Sequence, residues 1–267
     1  MKKRKIVGLA LGSGGIRGLA HVGVIKTLLK HDIPIDFLSG CSIGAWVAAH
    51  YALYEDIDRL EEYTVYRKKE KAKVFLEPAI KGGLVKGAKA KELLDDWFKK
   101  AEFKDTKIPV QVVATDLISG QPIILSEGNL ATAVYASMAV PTLFKPIKYE
   151  DKILTDGGVS NPVPDDIVRH MGADIVIAVN LDNYQRNKTF TLQDISLKKT
   201  ANRSFNIMRH YLAEYSIASA DIAIEPHVSN MSLLSLGKYF TKDIGQQIVK
   251  IGEEETEKMI NHIKNLL

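Results

Sequence analysis

Asp36-Phe37-Leu38-Ser39-Gly40-Cys41-Ser42-Ile43-Gly44-Ala45-Trp46-Val47 reads as a short apolar strand, a serine turn flanked by glycines, and the opening of an apolar helix. A strand over residues 36–39 that turns sharply at 40–44 into a helix lacking a polar face belongs inside an α/β protein, because both elements need cover on more than one side. The same order occurs upstream. Residues 5–11 form an apolar run, Gly12-Ser13-Gly14-Gly15 a loop, and residues 17–29 a helix that is apolar all round. Downstream, strands are expected over 108–115 and 121–125 around a turn at Ser119-Gly120. A helix over 129–138 must stop near Pro141. A strand over 153–156 runs into Gly157-Gly158, and residues 174–180 form a continuous buried strand.

Residues 55–105 are more polar, with helices expected over 58–69 and 89–100 and a mobile loop over 78–87 that contains Gly82-Gly83. The last third predicts a helix over 201–219, a strand over 221–225 and a final amphipathic helix. In that helix Ile244, Ile248, Ile251, Met259 and Ile263 make one stripe, interrupted at Glu255. Short apolar runs alternating with helices predict the α/β class: a single-domain three-layer α/β/α fold with a mostly parallel central sheet. No repeat or linker divides the chain, so residues 181–267 are expected to pack on the domain formed by residues 5–180.

With 267 residues, 46% apolar and 25% charged, the composition is that of a globular protein and excludes disorder, collagen-like fibre and coiled coil. The net charge of +4 is spread over interleaved signs, which argues against a nucleic-acid partner. No uncharged apolar run reaches the roughly 18 residues a spanning helix needs. The single cysteine, Cys41, has no internal disulfide partner, which leans towards a reducing compartment. Lys2, Lys3, Arg4 and Lys5 before a short apolar stretch imitate a secretory leader. That stretch runs into the glycine loop carrying Arg17 rather than a cleavage site, so a cytoplasmic protein is expected.

Gly40-Cys41-Ser42-Ile43-Gly44 is a G-x-S-x-G between a strand and a helix, a pattern that projects a serine hydroxyl from a strained turn. The helix that follows points its positive end at Ser42. A glycine-rich turn with a capping serine has the same letters. Acyl transfer also needs backbone N–H groups aimed at an oxyanion, and Gly12-Ser13-Gly14-Gly15-Ile16-Arg17-Gly18, between a strand and a helix, offers them. The competing reading of that loop is a dinucleotide site. Gly12, Gly14 and Gly18 miss the G-x-G-x-x-G spacing, because position 17 is Arg, while Asp32 and Asp36 stand near where a ribose-binding acid would be. None of the seven histidines sits in a recognisable signature, and His21 reads as a packed histidine. Asp156, in Thr155-Asp156-Gly157-Gly158 at the end of an apolar strand, is the better candidate base, although an Asp-Gly turn alone would look the same.

These pieces together resemble the patatin-like phospholipases: the G-G-x-R-G loop, the elbow with Ser42 following Arg17 by 25 residues, Ala136-Ser137-Met138-Ala139-Val140-Pro141, and Asp156-Gly157-Gly158-Val159-Ser160-Asn161-Pro162. The likeness covers roughly residues 5–180 in motif order, and the tail fits compact bacterial members. Ser13 departs from the glycine that plant patatins carry. The resemblance implies a Ser–Asp dyad without histidine, in which Ser42 attacks an ester carbonyl and Asp156 takes its proton. The amides of Gly14 and Gly15 would hold the oxyanion. Gly12, Arg17, Gly18, Gly40, Gly44, Gly157 and Gly158 would support these parts, with Arg17 bracing the loop.

It further implies lipid carboxylic esters as substrates (phospholipid, lysophospholipid or acylglycerol), no metal and no cofactor, and transient contact with a membrane surface. Trp46, Leu143, Phe144 and Ile147 are candidates for an acyl groove. The lysine-rich segment 67–91, with Val74, Phe75, Leu76, Leu84 and Val85 interspersed, would gate lipid access. Two other classes stay open: a lipid-binding or regulatory protein of low activity on the same fold, and a nucleotide-binding α/β protein.

Overall fold

Val7–Leu11 forms β1, buried along its whole length. Its side chains divide by size between the two faces of a sheet. Val7, Leu9 and Leu11 enter the main core, whereas Ala10 joins a second cluster with Val163, Val168, Val176 and Ala178. Small residues on the second face allow a helix to lie close against the strand, so β1 is covered on both sides. The computed structural model describes residues 4–74, 83–182, 190–228 and 244–267.

After β1 the chain makes a single 3₁₀ turn, Gly15–Leu19, and then α1 (Ala20–Lys30). β2 (Phe37–Cys41) leads into α2 (Ile43–Tyr54), followed by the short α3 (Ile57–Glu61) and α4 (Lys68–Lys73), and by α5 (Ala88–Phe98). β3 (Val110–Asp116), β4 (Pro122–Leu125), α6 (Leu130–Ser137), β5 (Ile147–Tyr149) and β6 (Lys152–Asp156) come next. The chain continues through α7 (Asp165–His170), β7 (Ile175–Val179), α8 (Leu197–Ser216), β8 (Ile222–Ile224) and α9 (Gly245–Leu266).

One sheet carries the order β5-β6-β3-β2-β1-β7-β8, with β4 also on β3. The run from β3 to β8 is parallel and the pairs made by β4, β5 and β6 are antiparallel. Main-core residues come from α1, α2, α5, α6 and α9, while the second cluster draws on α7 and α8 through Val168 and Ala213. This is the α/β class read from the sequence: one domain with a mixed, mostly parallel sheet between helices.

Several boundaries differ, each for a local reason. The helix expected over 58–69 breaks after Glu61 into a wide π turn, Glu62–Tyr66. That turn sends Thr64 and Val65 inward together, and Thr64 Oγ1 accepts from Trp46 Nε1 at 3.2 Å. α8 begins at Leu197 rather than near 201, because the Ser196 hydroxyl caps it by accepting from the Lys199 N–H. β5 and α7 are short elements, and the periodicity of three and six residues is too brief to predict them. The stripe on α9 holds at Ile248 and Ile263, with Ile244, Ile251 and Met259 packed at its margin. Its middle is made by Gly252 and Thr256, beside Glu255. Of the segment expected to gate access, residues 75–82 lie outside the described residues. Beyond them, Leu84 and Val85 donate backbone hydrogen bonds to Thr142 O and Leu143 O.

Candidate active site

The elbow is set by a contact between backbones. A Cβ on Gly44 would lie 2.0 Å from Leu11 O, so only glycine lets the start of α2 pass the end of β1. The chain must therefore reverse within one residue, and Ser42 takes φ 55° and ψ −121°. A non-glycine residue held there costs on the order of 1–3 kcal/mol. Its amide is tied down from outside, by donating to Ser137 Oγ at 2.8 Å, and Ser42 itself is only 6% exposed.

Strand register brings Asp156 to the serine. β2 and β4 both pair with Val112 and Val113 of β3, so they lie on opposite sides of it. β4 and β6 likewise share Ala114 and Thr115, so β6 lies on the side of β2. Cys41, the last residue of β2, faces Val113, and Asp156, the last of β6, faces Ala114. The sheet thus abuts the ends of two strands one step apart along β3. Ser42 Oγ donates to Asp156 Oδ2 at 2.6 Å, and the Gly158 N–H donates to Asp156 Oδ1 at 2.8 Å.

Burial raises the pKa of the Asp156 carboxyl above its ordinary value, against the opposing charge of Arg209 and the hydrogen bonds from Ser42 and Gly158. A buried carboxylate of raised pKa is a stronger base than one in water.

The glycine loop lies alongside. The Gly12 N–H donates to Val179 O and the Ser13 N–H to Pro162 O. The next two amides, those of Gly14 and Gly15, find no protein acceptor among the described residues. Gly18 packs against Ile43, where a Cβ would come within 2.3 Å, so loop and elbow touch. Arg17 turns away: its Nε donates to Gly14 O at 3.2 Å and its Nη2 to Asp182 Oδ1 at 2.6 Å. Gly40 and Gly157 are likewise pressed on backbone, at Gly44 O and Val113 O.

Two residues that no motif singles out complete the surroundings. Arg209 of α8, buried, pairs with Asp182, donates to Ser13 Oγ, and reaches Gly158 O at 3.4 Å. One guanidinium therefore links the glycine loop, the Asp156-Gly157-Gly158 turn and the end of β7. Burial alone would raise the Asp182 carboxyl, but Arg209 and Arg17 hold it below its ordinary value. The available sequence signal is the polar pair Asn180 and Asp182 at the end of a buried strand. Arg209 has none, since α8 also carries exposed charged and polar residues.

The histidines lie apart from the Ser42–Asp156 pair. His21 donates through Nε2 to Gly12 O at 2.7 Å, and burial lowers its pKa to about 4. His50 is enclosed by Trp46, Tyr54, Tyr63 and Phe98, with its pKa lowered to about 3 mainly by burial. His210 Nδ1 meets Asp182 O. Asp36 accepts from the Val7 N–H and from Arg4 at the opposite end of β1 and β2 from the glycine loop, which removes it from any ribose there. Among the described residues no group of His, Cys, Asp and Glu is arranged to hold a metal ion. A serine hydroxyl on a buried carboxylate beside two open amides supplies the parts that acyl transfer requires.

A family profile described as patatin-like phospholipase matches residues 9–168. An uncharacterized NTE family protein of Mycobacterium tuberculosis strain H37Rv is 31% identical, over 80% of this chain and 59% of that protein. The human patatin-like phospholipase domain-containing protein 6 is 30% identical, over 70% of this chain and 14% of its own length. The chain thus spans about six tenths of the mycobacterial relatives it matches. Among solved structures, VipD from Legionella pneumophila superposes with a TM-score of 0.63 at 13% identity, over 98% of this chain and 67% of that one, a likeness of fold.

Proposed function

This chain belongs to the patatin-like phospholipase family, and we propose that it is a serine hydrolase of lipid carboxylic esters in which Ser42 is the nucleophile and Asp156 its base. The observation that carries the reading is the 2.6 Å hydrogen bond from Ser42 Oγ to a buried carboxylate. Ser42 Oγ attacks the ester carbonyl carbon while its proton passes to Asp156 Oδ2. The carbonyl oxygen becomes an oxyanion held by the N–H groups of Gly14 and Gly15 and favoured by the N-terminus of α2. Collapse expels the alcohol, which takes the proton back from Asp156. Water then attacks the acyl-serine by the same proton route and restores the hydroxyl.

An aspartate suffices as base because proton transfer accompanies attack and because burial has already strengthened it. Phospholipid, lysophospholipid and acylglycerol are the substrates in view, met in the cytoplasm during transient contact with a membrane surface. No helix among the described residues is long and apolar enough to cross a membrane.

The test is labelling with a fluorophosphonate probe alongside p-nitrophenyl butyrate hydrolysis. Wild type is expected to label and turn over, Ser42→Ala to do neither, and Asp156→Asn to lose about 10²–10⁴ in kcat. A folded wild type that stays unlabelled would mean that Ser42 is not an activated nucleophile.

A further inference from the structure

Between the start of α5 and the β5–β6 hairpin lies an open cleft of about 700 Å³. Its rim is basic: Lys86, Lys91, Lys145, Lys148 and Lys152 line it against a single acid, Asp151. Lys91 and Lys152 are neutralised by Asp95 and Asp151. Lys86, Lys145 and Lys148 have no acidic partner among the described residues.

The N-terminus of α5 opens on the same cleft through Gly87 and Ala88, with no side-chain cap and no acid in its first turn. A Cβ on Gly87, which has φ +87°, would fall 1.8 Å from Tyr135 Oη, so a glycine is needed to bring this helix end so close. The walls, by contrast, are apolar, and they include Ile118 and Ile153, which are 67% and 43% exposed. Unpaired cations and an uncapped helix end call for an anion. Isoleucines left in water beside them call for hydrocarbon on the same ligand.

We infer that this cleft docks the phosphate-bearing headgroup of an anionic phospholipid at a membrane surface, with Ile118 and Ile153 against the first carbons of its chains. The choice of a lipid over a soluble anion rests on the proposed lipid hydrolase function. The cleft also shares two elements with the proposed dyad. Ile153 and Asp156 stand three residues apart on β6, roughly 10 Å, and Tyr135 precedes by two residues the Ser137 that holds the Ser42 amide.

The test is co-sedimentation of the full chain, carrying Ser42→Ala so that vesicles are not consumed, with phosphatidylcholine vesicles with or without phosphatidylglycerol. The protein is expected to bind only the anionic vesicles. Lys86→Gln, Lys145→Gln and Lys148→Gln together should weaken that binding roughly 100-fold, at about a fivefold effect per lysine near a charged surface. A charge-matched control with Lys99→Gln, Lys100→Gln and Lys250→Gln should bind as the parent does, and inorganic phosphate should not compete. Melting curves establish folding. If the triple variant melts early, the single reversal Lys148→Glu, at the exposed residue of β5, carries the test.

Parent-like binding by the triple variant, or equal loss in the control, overturns the proposal. So does displacement by inorganic phosphate, which would make the cleft a free-phosphate site. Because the readout needs no turnover, failure of the hydrolase reading in fluorophosphonate labelling is a separate result.

Discussion

Arg209 sits where three chain segments meet, and its charge is the largest influence opposing burial at Asp156. This gives a signed expectation. In its proposed role as base Asp156 works only when ionised, so activity should fall as pH drops through its raised pKa. Arg209→Met removes the charge that favours the carboxylate, so the acid limb of kcat/KM should move to higher pH. Arg209→Lys keeps the charge but not the fork. It should restore the position of the limb while leaving kcat reduced, because Ser13 and Gly158 lose their common donor. An unmoved limb in Arg209→Met would show that Arg209 acts by shape alone. Arg209→Met also breaks a buried pair, for which a cost of about 3–5 kcal/mol is ordinary, and the profile should therefore be taken at low temperature. None of this was legible in the sequence. The partners 27 and 196 positions away from Arg209 are set by how α8 crosses the end of β7.

Packing between α1 and α9 depends on two glycines facing backbone. A Cβ on Gly252 would lie 2.1 Å from Ala20 O, and one on Gly23 2.0 Å from Val249 O. Helices this close have no flexible side chain to displace, so Gly252→Val should cost at least about 2 kcal/mol, at the upper part of the range for overpacking. In a chain of this size that lowers Tm by roughly 4–8 °C. Lys258→Ala on the same helix should leave Tm within about 1–2 °C, since its partner is the surface pair with Glu255. Equal Tm values would mean that the helices separate without penalty. The apolar stripe was readable on α9, as Ile248 and Ile263 show. Its centre was not, because Gly252 and Thr256 are too small and too polar to register as hydrophobic periodicity. The motifs were legible for the opposite reason: Gly40, Gly44 and Gly157 are demanded by backbone approach, and Gly158 by the side chains of Arg209, Asp156 and Ser13 crowded against it, and a local requirement leaves a local mark in sequence.

Among the described residues, burial lowers the pKa of His21 and His50, and both bear on the stability of the whole molecule in acid. His21 titrates near pH 4 and His50 near pH 3, both held down by burial, against about 6.5 in an unfolded chain. Below pH 6.5 the unfolded chain takes up protons that the native state refuses. The stability these residues provide is therefore complete above 6.5 and is lost as pH falls, by up to about 1.4 kcal/mol per unit for each. The raised Asp156 carboxyl works in the opposite sense, so the comparison needs a variant. His50 has neither ring nitrogen bonded and is ringed by aromatic side chains. His50→Phe should flatten the fall in urea midpoint between pH 7 and 5 by about half; an unchanged slope would place the acid sensitivity elsewhere.

Fold class, chain order of the elements, the serine elbow and the aspartate turn all follow from nearest-neighbour chemistry: apolar periodicity, glycine where backbones touch, a polar residue at a strand end. Such features are encoded within a few positions and need no knowledge of what lies across the molecule. The pairing of Ser42 with Asp156, the tie of Arg209 to Asp182 and Ser13, and the gathering of Lys86, Lys145 and Lys148 around one cleft are different. They arise because β6 follows β2 along the same side of β3, because α8 crosses β7, and because α5 starts against the β5–β6 hairpin. Register and crossing are long-range properties, chosen by the burial of the whole core, and a contact between residues 114 positions apart has no trace in either neighbourhood alone.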